Sequence, residues 1–126
     1  MKYFFSIFLI LTIIITMNMV TLNNTKHNVE VLENCLNDLK KVVRYENIDE
    51  LNSKIENLKN NWDKANDLLA LYIEHEELDK AETEIITIKS CIETEEYEDA
   101  LQSIDRAIYQ INHIEEKNRL KLKNIF

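Results

Sequence analysis

The stretch from Tyr3 to Thr25 carries no charged side chain, whereas charged residues recur throughout the rest of the chain. A helix formed by such a stretch rises roughly 1.5 Å per residue, which is about what the hydrocarbon core of a bilayer requires. We therefore predict that residues 1–25 form a transmembrane signal anchor, which contacts the membrane through residues 3–22. Residues 26–126 are predicted to form a helical domain outside the bilayer.

A cleaved secretory signal is the alternative interpretation of this N-terminus. Lys2 supplies the basic residue of such a signal, but the apolar core is longer than a signal peptide needs. The segment after Val20 reads Thr21-Leu22-Asn23-Asn24-Thr25, without the small side chains that a signal peptidase selects. The sequence favours an uncleaved anchor.

The charges on either side of the apolar stretch indicate its orientation. Lys2 and the terminal amine precede the stretch, while Lys26 and His27 follow it and are soon opposed by Glu30 and Glu33. Because cytoplasmic flanks carry an excess of basic residues, we predict a cytoplasmic N-terminus. The body is then predicted to lie outside the cell membrane as part of a single-pass protein.

Apolar residues after the stretch recur at alternating spacings of three and four, which is typical of amphipathic helices. The first stripe, into which the anchor is predicted to continue, is Leu22, Val29, Leu32, Leu36, Leu39 and Val43. The second stripe is Leu51, Ile55, Leu58, Trp62, Ala65, Leu69 and Tyr72. The third stripe is Leu78, Ala81, Ile85, Ile88 and Ile92. The last stripe is Tyr97, Leu101, Ile104, Ile108 and Ile111, continuing to Leu122.

Short polar segments predict where these helices begin and end. The first soluble helix is expected to end near Tyr45-Glu46-Asn47, with Asn47 in a left-handed C-cap. Asp49 is predicted to cap the next helix at its N-terminus, and Thr94 is predicted to cap the last one.

The second and third stripes point in directions about 150° apart, which is far more than a straight helix drifts per heptad. One possibility is an unbroken helix from Asp49 to Ile92, because residues 74–77 contain no residue that usually stops a helix. The other is a reversal near Glu74–Glu77. If the first soluble helix runs outward for about 20 residues, the second returns to the membrane near Tyr72, and continuing would drive acidic residues into lipid. A bend at Asn23-Asn24 that lays the body along the membrane would also avoid this.

The composition restricts the fold to helices. The 126 residues include no glycine and no proline, with 45% hydrophobic and 30% charged residues. Without glycine, tight hairpins and phosphate-binding loops lose their usual building block. We predict an all-α fold: an N-terminal transmembrane helix followed by a small antiparallel bundle of three long helices, or four if the middle helix reverses near Glu74–Glu77.

The charge balance argues against nucleic acid as a partner. All 23 acidic residues but only 14 of the 15 basic residues follow Thr25, which gives that part of the chain a net charge of −9. Phosphate backbones attract basic surfaces, so we predict no nucleic-acid partner. The basic residues that do cluster lie at the C-terminus, where they suit both a helix end and anionic lipid headgroups. They are Lys117, Arg119, Lys121 and Lys123.

The candidate metal ligands are weak. His75, Asp79 and Glu82 follow one another at about one helical turn and so share a face. A polar network that fixes the helix register, or a solvated face, is the more usual role of such residues, and the chain has no Glu-x-x-His motif of the di-iron type. No cofactor is predicted. His113 is expected at the surface because it points away from the direction of Ile104.

Three further residues have alternative interpretations. Cys35 and Cys91 lie at a similar height if the chain folds back, so a disulfide between them would support the reversal, but two free thiols are the favoured interpretation. Trp62 lies on an apolar stripe and is predicted to anchor the core rather than to stack on a ligand.

Three segments carry a family resemblance, together with the N-terminal anchor. They are Trp62, then Tyr72-Ile73-Glu74-His75-Glu76-Glu77-Leu78-Asp79, and the ending Leu120-Lys121-Leu122-Lys123-Asn124-Ile125-Phe126. With them the chain resembles, over nearly its whole length, a bacterial family named domain of unknown function four-three-six-three, found in spore-forming bacteria of the clostridial kind. The resemblance implies a membrane-anchored partner of larger membrane proteins and supplies no activity.

The function favoured by the sequence is non-enzymatic. No nucleophile–base pair, glycine-rich loop or strong metal motif is evident, whereas helical surface is ample. We predict an interaction or accessory module for another membrane protein, or one that self-associates. The alternative is an extracytoplasmic domain that senses a small ligand or a metal ion.

Overall fold

The protein folds into four helices, as described by a computed structural model that covers residues 1–45 and 47–125. Helix α1 spans Lys2–Arg44, α2 spans Ile48–Leu69, α3 spans His75–Glu93 and α4 spans Tyr97–Ile125. The described residues include no strand. The all-α prediction is confirmed, in its four-helix form.

The helices form an up-and-down bundle. Each helix packs against the helices before and after it in the chain, and α4 closes the bundle against α1. The closest associations are those of α4 with α1 and α3, while α2 and α3 touch least. Short connections between antiparallel neighbours produce this topology.

The middle of the chain reverses at residues 70–74, slightly before the predicted position, so no unbroken helix joins Asp49 to Ile92. The amide of Ile73 donates to the carbonyl of Leu69 at 2.8 Å, and Glu74 then adopts an extended backbone before α3 begins. Glu76 and Glu77 lie in the first turn of α3, where negative charge complements the helix dipole. The burial of Leu69 and Leu78 on either side holds this turn without glycine or proline.

The turn between α1 and α2 differs from the prediction. Asn47 has φ −80° and is the residue before α2, so it is not a left-handed C-cap of α1. Its carbonyl accepts from the amides of Glu50 and Leu51, and Asp49 lies inside the first turn rather than before it. Glu46, which was predicted to belong to this turn, lies outside the described residues.

The turn between α3 and α4 corrects the role of Thr94. Its hydroxyl donates to the carbonyl of Ser90 at 3.0 Å, so Thr94 closes α3 and does not cap α4. Glu95 follows with φ 60°, the one left-handed residue among those described. The amides of Glu95 and Glu96 donate to Ile92 and Cys91, which is the hydrogen-bond pattern of a Schellman motif.

Replacing Glu95 with glycine is expected to raise the free energy of unfolding by about 0.5–1 kcal/mol. A side chain in the left-handed region is strained, and glycine removes that strain at the cost of a more flexible unfolded chain. Chemical denaturation of the full chain in detergent micelles, followed by far-UV circular dichroism, measures the change. The matched control is Glu96→Gly, which removes the same charge at a position without positive φ and should not stabilise. Equal effects of the two changes would contradict the prediction.

The core confirms most of the first three predicted stripes, although Leu22, Ile55 and Tyr72 are only partly buried, and it shifts the fourth stripe. The buried residues of α1 to α3 include Val29, Leu32, Leu36, Leu39, Val43, Leu51, Leu58, Trp62, Ala65, Leu69, Leu78, Ala81, Ile85, Ile88 and Ile92. In α4 the buried apolar residues are Ala100, Ile104, Ala107, Ile111 and Ile114, while Tyr97, Leu101 and Ile108 are only partly buried. Ala100 and Ala107 are therefore buried together with three isoleucines, whereas Tyr97, Leu101 and Ile108 lie at the edge of the contact.

Helix α1 continues from the N-terminal apolar stretch into the bundle without a break, as predicted. Its 43 residues include a segment that is long and apolar enough to cross a membrane, with a mean hydropathy of 2.3 over 18 residues. None of that segment is buried against the rest of the protein. By length and composition it is a candidate for a single membrane span.

Candidate functional site

Three of the four buried polar residues among those described, Thr25, Glu77 and Asn118, lie at one end of the bundle, which we call the base. The base comprises α1 around Thr25, the α2–α3 turn at residues 70–74, the first turn of α3, and α4 from Gln110 onwards. It is the end of the bundle from which the apolar N-terminal segment extends. The opposite end carries the α1–α2 and α3–α4 turns.

A buried hydroxyl organises the side of the base nearest the apolar segment. Thr25 is almost completely buried, and its Oγ1 lies 2.8 Å from the hydroxyl of Tyr72. Asn118 is also buried and donates from Nδ2 to the same Oγ1 at 3.2 Å. Thr25 itself donates to the carbonyl of Thr21. The hydroxyl of Thr25 therefore connects α1, the α2–α3 turn and α4. These contacts fix the positions of the three elements along the bundle axis.

A buried carboxylate organises the other side of the base. Glu77 is 5% exposed, and its Oε1 accepts from Nζ of Lys117 at 3.1 Å. Its Oε2 accepts from Nε2 of Gln110 at 2.9 Å and lies 3.8 Å from Nε2 of His113. Lys80, on the same helix, has its Nζ 3.9 Å from the carboxylate. Burial of this charge is compensated by donors from α4 and by a neighbouring lysine.

The environment of Glu77 favours its ionised form. Burial acts to raise the pKa of Glu77, but hydrogen bonds from Lys117 and Gln110 and the charges of Lys117 and Lys80 outweigh it, so that the pKa lies below its usual value. The hydrogen bond to Glu77 in turn raises the pKa of Lys117. Desolvation opposes this rise, and the charge of Glu74 adds to it. The pair is therefore charged across the physiological pH range.

The space between these two polar groups is small. A cavity of about 20 Å³ lies between the α2–α3 turn and α4, bordered by Tyr72, Glu77, Lys117 and Asn118. That volume suits a single water molecule with several polar neighbours. The arrangement is that of a polar contact between helices, and this cavity is too small for an organic ligand.

The weak metal candidates lie apart from these groups. His75 and Asp79 are exposed on the outer side of α3, and Glu82 is partly buried one turn further along. Among residues 1–45 and 47–125, no three His, Cys, Asp or Glu side chains are grouped so that they could hold a metal ion. The prediction of a metal-sensing face thus gains no support from the geometry.

His113 lies closer to α3 than its direction on the helix predicts. Its side chain is 42% exposed, is stacked on Tyr109 with ring centroids 6.2 Å apart, and faces the carboxylate of Glu77. The close packing of α3 against α4 brings this flank of α4 into partial contact. His113 is therefore a neighbour of the polar contact and not an isolated surface residue.

Both cysteines are free thiols. Cys35 is buried beside α2, where the side-chain amides of Asn57 and Asn61 donate to its Sγ at 3.6 and 3.5 Å. Burial, with the charge of Asp38 second, raises the pKa of Cys35. Burial and the nearby Glu96 and Asp99 raise the pKa of Cys91. Each thiol is thus held in its less reactive, protonated form.

Sequence patterns did not single out the members of this base. In the sequence, Glu77 is one acid among several in the run around His75, and the position of Lys117 suits a helix end and lipid headgroups. A signal did exist, since Asn118 continues the spacing of Ile104, Ile111 and Ile114 along α4. A polar residue at a core position indicates a buried hydrogen bond, and that would have pointed to the base.

A long groove runs beside the base, along the apolar segment itself. Residues 15–22 of α1 and residues 119–123 of α4 border it. The groove has a volume of about 550 Å³ and is almost wholly apolar. The end of α4 therefore overlaps the last turns of the candidate membrane span.

These features define a class of protein: a small four-helix bundle carried on one long helix with a single candidate membrane span. The chain belongs to the family described as Domain of unknown function (DUF4363), which matches residues 19–125. The match begins within the apolar segment and includes the entire bundle, and it confirms the family resemblance. No curated protein and no solved structure matches the chain.

Proposed function

We propose that the protein is a single-pass membrane protein with a cytoplasmic N-terminus and with its bundle outside the cell membrane. The bundle is a non-enzymatic accessory module that contacts another membrane protein or a second copy of the chain. One observation carries the membrane part of this proposal: the apolar window of α1 contains no buried residue, yet the helix continues directly into the bundle. Such a surface requires lipid or protein around it.

Polar atoms within the segment support insertion. The hydroxyls of Ser6, Thr12 and Thr16 donate to the carbonyls of Lys2, Phe8 and Thr12 at 3.1, 2.9 and 2.8 Å. Their hydrogen bonds are made within the helix, so they tolerate an apolar surrounding. Small hydroxyl residues also allow a neighbouring helix to approach closely in a membrane.

The outer surface of the bundle supports contact with a protein. Tyr109 and Ile86 are 72% and 63% exposed, and Tyr109 borders an open groove between α3 and α4. Arg106 borders the same groove and is paired with Glu84 at 3.2 Å. Tyrosine and arginine are the residue types that contribute most often to binding energy at interfaces. For the sensing alternative, His75, Asp79 and Glu82 belong to no group of metal ligands among residues 1–45 and 47–125.

Accessibility of introduced cysteines tests the membrane part of the proposal. In a chain with Cys35→Ser and Cys91→Ser, we expect Ser53→Cys on α2 to react with a membrane-impermeant maleimide in intact cells. Ser6→Cys makes the same chemical change inside the apolar segment and should react only after the protein is denatured. Labelling of Ser53→Cys that required permeabilised cells would overturn the orientation.

Photo-crosslinking tests the accessory role. A photoreactive amino acid in place of Tyr109 is expected to give a discrete adduct in intact cells, identified by mass spectrometry as an integral membrane protein or a second copy. The matched control replaces Lys59, an exposed residue of α2, and should give no discrete adduct. Monomer alone from both positions, in cells where the anchor is correctly inserted, would contradict the accessory role and leave the anchor intact.

A further inference from the structure

Two polar contacts fix how far α4 reaches along α1. Asn118 meets Thr25 at 3.2 Å, and the Nζ of Lys40 lies 2.6 Å from a carboxylate oxygen of Asp105 further along the bundle. The helices are antiparallel, so each step beyond Asn118 on α4 corresponds to a step before Thr25 on α1. The last turns of α4 consequently lie beside the uncharged stretch, which ends at Thr25.

The groove between these last turns and α1 has an apolar floor and a cationic rim. Ile15, Met19 and Leu22 of α1 and Leu122 of α4 form the floor together with the polar Asn18, and Arg119 and Lys123 form the rim. Arg119 and Lys123 are one helical turn apart, so their side chains lie on the same face of α4. Neither has a carboxylate partner within 4.0 Å among the described residues, in contrast to Lys117.

We propose that this groove binds an anionic phospholipid of the bilayer. The phosphate group contacts Arg119 and Lys123, and one acyl chain lies along Ile15, Met19, Leu22 and Leu122. The inference rests on the proposed membrane insertion of α1, which places the Arg119 end of the groove near the headgroups and the apolar floor beside the acyl chains. The site adds a second attachment of the bundle to the membrane, at the C-terminal end of the chain.

Charge distinguishes a lipid from a protein segment as the occupant. A second copy packed groove to groove would set Arg119 and Lys123 of one chain against the same two cations of the other, and like charges repel. A neighbouring apolar helix would remove water from Arg119 and Lys123 without pairing them, which is costly. An anionic headgroup pairs them, and their long aliphatic stems can lie on the apolar floor while the charged ends reach the phosphate.

Lipid titration of the purified full chain in detergent micelles tests the site. We expect phosphatidylglycerol to raise the melting temperature more than phosphatidylcholine does, at lower added lipid. The double variant Arg119→Gln, Lys123→Gln should weaken the apparent affinity for phosphatidylglycerol roughly 30-fold, since each basic residue near an anionic surface contributes about fivefold. The matched control Lys59→Gln, Lys64→Gln removes two exposed cations from α2 and should keep the preference.

The other outcomes each overturn the lipid site. If phosphatidylglycerol raised the melting temperature of the double variant at the same lipid concentration as for the wild-type chain, the lipid would bind elsewhere on the span. Equal stabilisation by glycerol phosphate without lipid would identify a free-anion site. Covalent dimers from a photoreactive residue at Leu122 in nanodiscs would identify a second copy as the occupant. Flotation with liposomes separates these failures from failure of the proposed function, because a chain that floats without a lipid preference retains its anchor, whereas one that does not float lacks both.

Discussion

Replacing Trp62 with alanine is expected to lower the free energy of unfolding by about 3–5 kcal/mol. Trp62, on α2, is the single tryptophan of the chain and is 2% exposed within the core of the bundle. Truncation removes its apolar surface from the core and leaves a cavity that neighbouring helices fill only in part. Guanidinium denaturation of the full chain in detergent micelles, followed by far-UV circular dichroism, measures the loss.

Phenylalanine at the same position provides the control. The indole Nε1 of Trp62 is buried and has no hydrogen-bond partner among residues 1–45 and 47–125, and such a group costs about 1–3 kcal/mol. Trp62→Phe removes that unpaired donor while keeping an aromatic ring, so its net cost should be less than half that of Trp62→Ala. Equal losses in the two variants would show that the ring volume of Trp62 is not what stabilises the core.

Replacing Glu77 with glutamine is expected to lower the free energy of unfolding by about 1–2 kcal/mol at pH 7. The change keeps the shape of the side chain but removes the charge to which Lys117 and Gln110 donate. Hydrogen bonds to charged groups contribute about 1.5–3 kcal/mol, and the half-exposed Lys117 reduces this through solvent screening. Thermal unfolding of the full chain in micelles, compared across pH, measures the effect.

The effect of Glu77→Gln depends on pH in a defined direction. Because the folded state lowers the pKa of Glu77 below its usual value of 4.5, the carboxylate stabilises the fold above that pH. This contribution is lost as the pH falls from about 4.5 through the pKa of the folded state, so the wild-type chain and Glu77→Gln should converge in acid. Glu76→Gln, an exposed neighbour with the same charge change, should show no such convergence. A difference for Glu77→Gln that persisted in acid would contradict the ionic role.

The helices and most of the core could be predicted from the sequence because apolar spacing reports directly which face is buried. The stripes through Leu36, Trp62 and Ile88 all face the core. The reversal before α3 could not be settled locally, because residues 70–74 contain no glycine, proline or other usual helix terminator. It is stabilised by contacts distant in sequence, such as the hydrogen bond between Thr25 and Tyr72.

The turns and the base were predicted less well, for a related reason. A capping residue such as Thr94 suits either the end of one helix or the beginning of the next, and only the path of the backbone decides between them. Likewise, Glu77 and its exposed neighbour Glu76 are chemically alike, and only the packing of α4 makes one of them a buried ion. Both outcomes depend on how facing helices are aligned along the bundle axis. The spacing of residues along one helix does not give that alignment.

Because α1 is unbroken, a tilt of its apolar segment also moves the bundle at its other end. Its 43 residues form a rod about 65 Å long, because an α-helix rises about 1.5 Å per residue. In a bilayer, a change of about 20° in the tilt of the apolar part would move the far end of the bundle sideways by roughly 10 Å. Bilayer thickness and helix tilt are linked, so the position of the α1–α2 turn above the membrane would follow the thickness of the surrounding lipid.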